Sequence, residues 1–366
     1  MGLLLRSQDP PHVLRSTALA ALKEQFSMQP NLTTHYLGLS LKSPIVASPS
    51  PLTGDLDALA RLAEAGIAAA VLPSLFEEQF SRPPSGPRQQ YEYTSGCYAA
   101  TLSSTSDVHR RSVGPHDYLQ LIEAAKQAVP IPIIGSLNGC SRGGWVRFAR
   151  EIEDAGADAL ELNVYNVPTS LEVTAKDFED EHLELVEAVR DAISIPLAVK
   201  IGAQFTCLPN FVGRLAKAGA DGVVLFNRYL EPDIDLKTLQ VTPQLTLSTN
   251  HEMRLPLRWV SILRDQVSLS LAASGGVQSA NDVAKLLLAG ADVVMMTSTL
   301  LKRGSDCVAG VIADLQRWLE ANDFAAVADA QGSLSSGHRV DSGEIERSYY
   351  MRAIASYSAL HQQAND

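Results

Sequence analysis

Two short clusters in this chain have the residue types that hold an anion. Ser274-Gly275-Gly276 ends one apolar run, and Thr297-Ser298 ends the next. Adjacent glycines let backbone amides approach an anion closely, and the start of a helical segment at Ala280 adds a favourable partial positive charge. One Gly-Gly pair is as readily a tight turn, but two polar clusters at consecutive run ends point to phosphate. Lys200 ends another run, in IPLAVKIG, with no carboxylate beside it in sequence. A lysine placed there suits stabilisation of a developing negative charge, or a Schiff base. Snorkelling to solvent is the structural alternative. Asn163 and Asn227 close two further runs, and their amides can donate and accept hydrogen bonds to an amide-rich ring or a substrate.

These residues need a scaffold that brings run ends together. The runs are Pro44–Ser48, Ala68–Pro73, Ile131–Ser136, Asp158–Asn163, Ile195–Lys200, Asp221–Asn227, Ser268–Ser274 and Asp292–Thr297. They are near-continuously apolar, as parallel strands covered on both faces must be. Between them lie segments of helical period, including Asp55–Ala65, Trp145–Ala155, Phe211–Ala218 and Ala280–Ala289. Each is followed by a glycine, Gly66, Gly156, Gly219 or Gly290, suited to the left-handed helix stop. The phrase AGAD recurs at Ala155–Asp158, Ala218–Asp221 and Ala289–Asp292, with a looser copy, AGIA, at Ala65–Ala68. A helix–Gly–strand unit repeated through eight strands predicts an α/β fold, the (β/α)8 TIM barrel. A doubly wound open sheet would not usually need eight regular units. In such a barrel the loops after strands seven and eight are the recurrent phosphate site.

Two insertions interrupt the units, after strands 2 and 6. One runs from Leu75 to about Asp117 and the other from Tyr229 to about Arg254. Both follow C-terminal strand ends, where barrel active sites are assembled, and are expected to cover the site as lids or hairpins. Residues 1–30 read as an N-terminal extension, with Met28 an alternative start, and 31–366 as the barrel domain. The formal net charge of −11 argues against nucleic acid or an anionic membrane as partner. Cys97, Cys140, Cys207 and Cys307 are far apart, which fits reduced thiols in a cytoplasm and no structural metal. No apolar run approaches bilayer length.

With these residues in place, the chain resembles the class 1 dihydroorotate dehydrogenases, and closely a bacterial branch of dihydroorotate dehydrogenase-like proteins, from about Asn31 to about Tyr357. LGLSLKSPIVASPSP is similar to the family's opening, which implies that Ala47 and Ser48 lie against an FMN ring. ASGGVQSANDVAKLLLAGADVVMMTS is similar to its FMN-phosphate segment, which implies phosphate roles for Gly275, Gly276, Thr297 and Ser298. IPLAVK implies a flavin contact for Lys200; ADALELN and DGVVLFN imply flavin and substrate contacts for Asn163 and Asn227.

The departures fall on the substrate side. The family motif N-L-S-C-P-N supplies a cysteine base, and here the stretch reads Asn163-Val164-Tyr165-Asn166-Val167-Pro168. Asn166 stands in the cysteine's place and has no proton that titrates near neutral pH. The family's lysine–serine pair reads Pro73-Ser74, which keeps a ring-side role for Ser74 but removes a cation. The N-x-M-G-L substrate loop is not recognisable around Ser103–Gly114, and Arg228 replaces a small hydroxyl residue. Candidate replacements are Tyr165 as acid or base, Cys140, and Arg228 or Arg254 as carboxylate clamps, with His116 and His251 weaker.

The resemblance implies an FMN oxidoreductase taking hydride from a CH–CH substrate, with dihydroorotate to orotate in pyrimidine biosynthesis as the candidate reaction and Asn166 in place of its usual cysteine. Lys200, Asn163, Tyr165 and Asn166 would be at the reaction. It also implies a homodimer that passes electrons to a soluble acceptor or a redox partner protein. A flavin-free sugar-phosphate isomerase or aldolase, and a non-catalytic flavoprotein, are the alternatives.

Overall fold

The computed structural model describes residues 29–76, 114–139, 145–228, 232–243, 245–336 and 342–363. The strands are β1 (Thr34–Tyr36), β2 (Leu39–Leu41), β3 (Ile45–Ala47), β4 (Ala69–Val71), β5 (Leu75–Phe76), β6 (Ile133–Asn138), β7 (Ala159–Asn163), β8 (Leu197–Ile201), β9 (Gly222–Leu225), β10 (Pro232–Asp235), β11 (Gln240–Pro243), β12 (Ser270–Ser274) and β13 (Val293–Met296). The helices are α1 (Leu56–Glu64), α2 (Pro115–Ala128), α3 (Trp145–Asp154), α4 (Ala175–Arg190), α5 (Leu208–Lys217), α6 (Arg254–Leu263), α7 (Ala280–Ala289), α8 (Ser298–Arg303), α9 (Cys307–Ala321), α10 (Val327–Ala330) and α11 (Ser342–Gln363).

All eight apolar runs form parallel strands, in the order β3-β4-β6-β7-β8-β9-β12-β13. The last pairs back onto the first, with Val294 opposite Ile45 and Met296 opposite Ala47, so the sheet closes into a (β/α)8 barrel. β5 continues the path of β4 past Pro73, which has no amide proton to give the ladder, and pairs with the upper part of β6.

Side-chain alternation divides the core in two. Ile45, Ala47, Ile133, Leu160, Leu162, Val199 and Leu271 point outward into the helix layer. Val46, Ile134, Ala159, Ala198, Val224, Ala272, Val293 and Met295 point into the barrel, where Tyr36, Leu37 and Leu41 of the β1–β2 hairpin join them. That hairpin stoppers the N-terminal end: Leu37 N donates to Ser270 Oγ at 3.0 Å. Two residues farther along, the same inward faces carry Ser48, Ser136, Glu161, Lys200 and Ser274. The barrel interior thus turns from apolar to polar toward the C-terminal strand ends.

The AGAD repeat has a physical role in this closure. Each aspartate precedes a strand and reaches back to the start of the strand before it. Asp158 accepts from Ile133 N at 2.7 Å, Asp221 from Leu197 N at 2.8 Å, and Asp292 from Leu271 N at 2.6 Å. Each also takes a cation from the end of the helix that leads into that earlier strand: Lys126 at 2.6 Å, Arg190 at 3.0 Å and Arg264 at 2.7 Å. The glycine two residues earlier lies at positive φ in each copy. A Cβ on Gly219 would sit 2.5 Å from the Arg190 side chain, and one on Gly290 2.5 Å from Arg264. Glycine is therefore needed in these two copies both for the turn and for the arginine's passage.

The second insertion carries the antiparallel hairpin β10–β11, with exposed Ile234, Leu236 and Val241. Most of the first insertion, residues 77–113, lies outside the described residues, as do residues 1–28 of the expected extension. Its end is set by α2, which begins at Pro115, so His116 lies on a helix and not in a loop. Among the described residues no helix is long and apolar enough to cross a membrane.

Asp292→Ala removes a charge-assisted bond to a strand amide and the Arg264 and Gln331 contacts. We expect a loss of about 1.5–3 kcal/mol in denaturant unfolding, whereas Glu123→Ala on the exposed face of α2 should change stability by less than ~0.5 kcal/mol.

Candidate active site

Lys200 is the deepest cation of the polar end. Its position on β8 turns it into the barrel, where it is 7% exposed, so the solvent-snorkelling alternative does not hold. Nor is it without a carboxylate. Glu161, inward-facing on neighbouring β7, places Oε1 3.3 Å from the Lys200 ammonium, and Ser48 Oγ lies at 3.3 Å. Sequence proximity could not show this partner, because strand pairing supplies it. The available signal was the lone acidic residue in ALELN, two positions from Asn163 and therefore on the same face.

Ser48 links this lysine to the other side of the barrel. Its amide donates to Met296 O at 3.1 Å, and its hydroxyl approaches Met295 Sδ at 3.8 Å. Ala47 beside it directs its methyl group outward among the helices, so only its backbone can face a ligand. Next to the lysine lies a small amide–hydroxyl network. Asn163 Nδ2 donates to Ser74 Oγ at 3.0 Å and Ser136 Oγ at 2.9 Å, and these two hydroxyls are 2.8 Å apart. Asn227, two residues past β9, reaches Asn163 Oδ1 at 3.5 Å. Tyr118 on α2 holds Ser136 from behind, accepting from its amide at 2.8 Å and donating to its carbonyl at 3.2 Å. Burial pushes the Tyr118 hydroxyl well above the ordinary phenol range. It stays protonated and acts as a strut.

The residues of the predicted phosphate grip lie at the ends of β12 and β13. Gly275 and Gly276 have φ of 106° and 76°. A Cβ on Gly275 would meet nothing within 4 Å, whereas one on Gly276 would sit 2.5 Å from Met253 N and 2.6 Å from Thr249 O. One glycine therefore borders open space and the other is packed against backbone. Thr297 precedes α8 and Ser298 is its first residue.

The grip has a component that sequence reasoning missed. Ser248, at the returning end of the second insertion, bonds Ser298 Oγ through its amide at 3.0 Å and its hydroxyl at 2.8 Å, and receives Gly276 N at 3.3 Å. Lys302 and Gln278 both hold the Ser248 carbonyl at 3.2 Å. Nothing local in LTLSTN marks this serine, since its place depends on how the insertion folds back.

The substrate-side candidates are placed less centrally. Tyr165 and Asn166 are half-buried in the irregular segment that leaves β7. Arg228 bonds Thr246 O and approaches Glu252 at 3.9 Å, so it braces the insertion. Arg254 and His251 are exposed near the start of α6, and His116 meets Gln120 at 3.1 Å. Cys140 and the Ser103–Gly114 loop, apart from Gly114, lie outside the described residues.

A family model described as "Dihydroorotate dehydrogenase" matches residues 111–319, which span Lys200, Asn163 and the whole grip. The chain belongs to the dihydroorotate dehydrogenase family. It is 26% identical over 313 residues to the "Dihydroorotate dehydrogenase B (NAD(+)), catalytic subunit" of Methanothermobacter thermautotrophicus, covering 82% of this chain and 97% of that protein. A protein of the same name from Shouchella clausii is 26% identical over 55% of this chain and 68% of its own length. The "Dihydroorotate dehydrogenase A (fumarate)" of Lactobacillus delbrueckii subsp. bulgaricus is 30% identical over 49% of this chain and 60% of its own.

The burial of Lys200 and Glu161 sets a stability test. Lys200→Met strands a buried carboxylate and should cost about 3–5 kcal/mol in urea unfolding, while Lys200→Met/Glu161→Leu should recover most of that loss. Equal destabilisation of single and double variants would show that the two side chains do not interact.

Proposed function

We infer that this family member is an FMN-dependent oxidoreductase that takes hydride from a CH–CH substrate other than dihydroorotate. One observation carries the reading: barrel closure sets the buried Lys200 ammonium beside Ser48, and Ser48 is bonded to the end of the strand that leads into Thr297 and Ser298. A cation for the ring and a grip for the phosphate therefore lie at the same end of the barrel, joined through Ser48. The residues fit the group. Gly275 leaves a side-chain-free approach, and Gly276, Thr297 and Ser298 surround it.

When bound, FMN supplies an acceptor for hydride. The protein's own residues do the rest. Gly275, Gly276, Thr297 and Ser298 hold phosphate, and Ser248 fixes the last of these through two hydrogen bonds. Lys200 offers positive charge to the ring edge, in a site the barrel has already desolvated. Asn163, held by Ser74 and Ser136, presents its amide oxygen toward Asn227, and the pair is oriented to receive a ring or substrate amide.

The substrate end supports a different partner from dihydroorotate. Asn166 cannot serve as base, Pro73 removes a cation, and Arg228 is engaged with the insertion. Tyr165, adjacent to Asn166, is the acid–base candidate. The same reading has a cytoplasmic homodimer handing electrons to a soluble acceptor or a redox partner protein.

The purified protein should show flavin absorbance, or gain it on reconstitution with FMN. Gly276→Ala should weaken FMN uptake at least tenfold, because the added methyl collides with backbone at residues 249 and 253. Dihydroorotate should not bleach the bound flavin of the wild type under anaerobic stopped flow, while Asn166→Cys should gain some bleaching. A colourless protein that takes up no FMN, but is trapped by a carbonyl compound and borohydride at Lys200, would establish the Schiff-base alternative instead.

A further inference from the structure

Glu161 has no task in the reading so far, yet it is the least expected residue in the barrel. It sits at the centre of β7, between Leu160 and Leu162, and is fully buried. One carboxylate oxygen, Oε1, meets Lys200 at 3.3 Å, and the other, Oε2, is buried with no hydrogen-bond partner. A carboxylate kept only for the fold is poorly served by that arrangement. A half-satisfied buried ion pair is worth less than apolar residues of the same volume, and an orphaned buried oxygen costs free energy of its own. The hydroxyl of Tyr36, from the hairpin that stoppers the barrel, is likewise buried without a partner. Burial first, and the Glu161 charge second, push that phenol well above its ordinary range. The negative charge of Glu161 therefore has Tyr36 below it and Lys200 on the side of the ligand.

We propose that Glu161 is a positioning residue for Lys200: it anchors the ammonium at the barrel mouth and offsets its charge, so that it sets how strongly the site favours the reduced form of a bound flavin. This rests on the FMN reading above. Reduction adds negative charge at the ring edge that Lys200 faces, and Lys200 is shared between that charge and the carboxylate. With Glu161 ionised, the ring receives only part of the lysine's attraction. Removing the carboxylate charge leaves the lysine wholly to the ring, so the reduced form gains and the midpoint potential rises.

The test is the FMN midpoint potential of the holoprotein, read by dye equilibration, with FMN content checked by absorbance. Glu161→Gln should raise the potential by the equivalent of at least a tenfold change in the redox equilibrium, about 30 mV for a two-electron couple. Glu161→Asp, which keeps the charge, should stay within threefold of wild type. In a Lys200→Met background the Glu161→Gln shift should shrink to less than half, because the effect passes through the lysine. Glu161→Ala provides a second neutral variant should the glutamine form fold poorly, and should shift the potential in the same direction. An unchanged or lowered potential in the neutral variants, or an undiminished shift without Lys200, overturns the proposal. A wild-type protein that binds no FMN overturns the functional reading on which it rests, and is distinguished by the absorbance alone.

Discussion

Closure of the β13–β3 ladder is the constraint on which every other feature depends. Residues 45–47 and 294–296 are almost 250 positions apart, yet their pairing alone brings Ser48 against Met295 and Met296. Lys200 then meets Ser48 across the interior. An open sheet of the same strands would leave Ser48 and the Thr297 and Ser298 hydroxyls on opposite edges. The aspartate clamps serve this closure from the opposite end. They tie the N-terminal starts of neighbouring strands with charged hydrogen bonds. These clamps and the polar stratum of Lys200, Glu161 and Asn163 thus occupy opposite ends of one barrel.

The strands were legible because parallel strands covered on both sides must be apolar along their whole length, and glycines mark the helix ends. The AGAD phrase was visible as a repeat, but its reason was not. The bond from Asp292 to Leu271 spans 21 residues, and only adjacency in the sheet explains it. The site divides along the same line. Gly275, Gly276, Lys200 and Asn163 could be placed because each stands at a strand end, a position that pattern reveals. Glu161 and Ser136 lie inside strands and depend on which face turns inward. Ser248 arrives through an insertion whose path no local pattern encodes. Arg228 was readable as a cation at a strand end, yet its length lets it turn to Thr246 and Glu252.

The interior also shows how a polar site can sit in a packed core. Ala159, Glu161 and Asn163 lie on one face of β7, so within two steps of the pleat the chain passes from the apolar plug to the network. Each step is matched on the neighbours, by Ala198 and Lys200 on β8 and by Ile134 and Ser136 on β6. The charges are thus confined to one stratum, and their partners come from adjacent strands whose spacing the ladder fixes. That geometry makes the relative placement of Lys200, Glu161 and Asn163 a property of the backbone and not of flexible side chains.

Ser248 gives the second insertion a thermodynamic part in the site. Its amide, hydroxyl and carbonyl are all committed to Ser298, Gly276, Gln278 and Lys302. Docking of the segment that follows β11 and formation of the grip are therefore one equilibrium, viewed from two places. On the proposed phosphate role, linkage would run in both directions: an anion that firmed the grip would also hold that segment down, and a segment that lifted away would loosen the anion. The segment from Ser248 to α6 would in that case be a gauge of what the barrel holds.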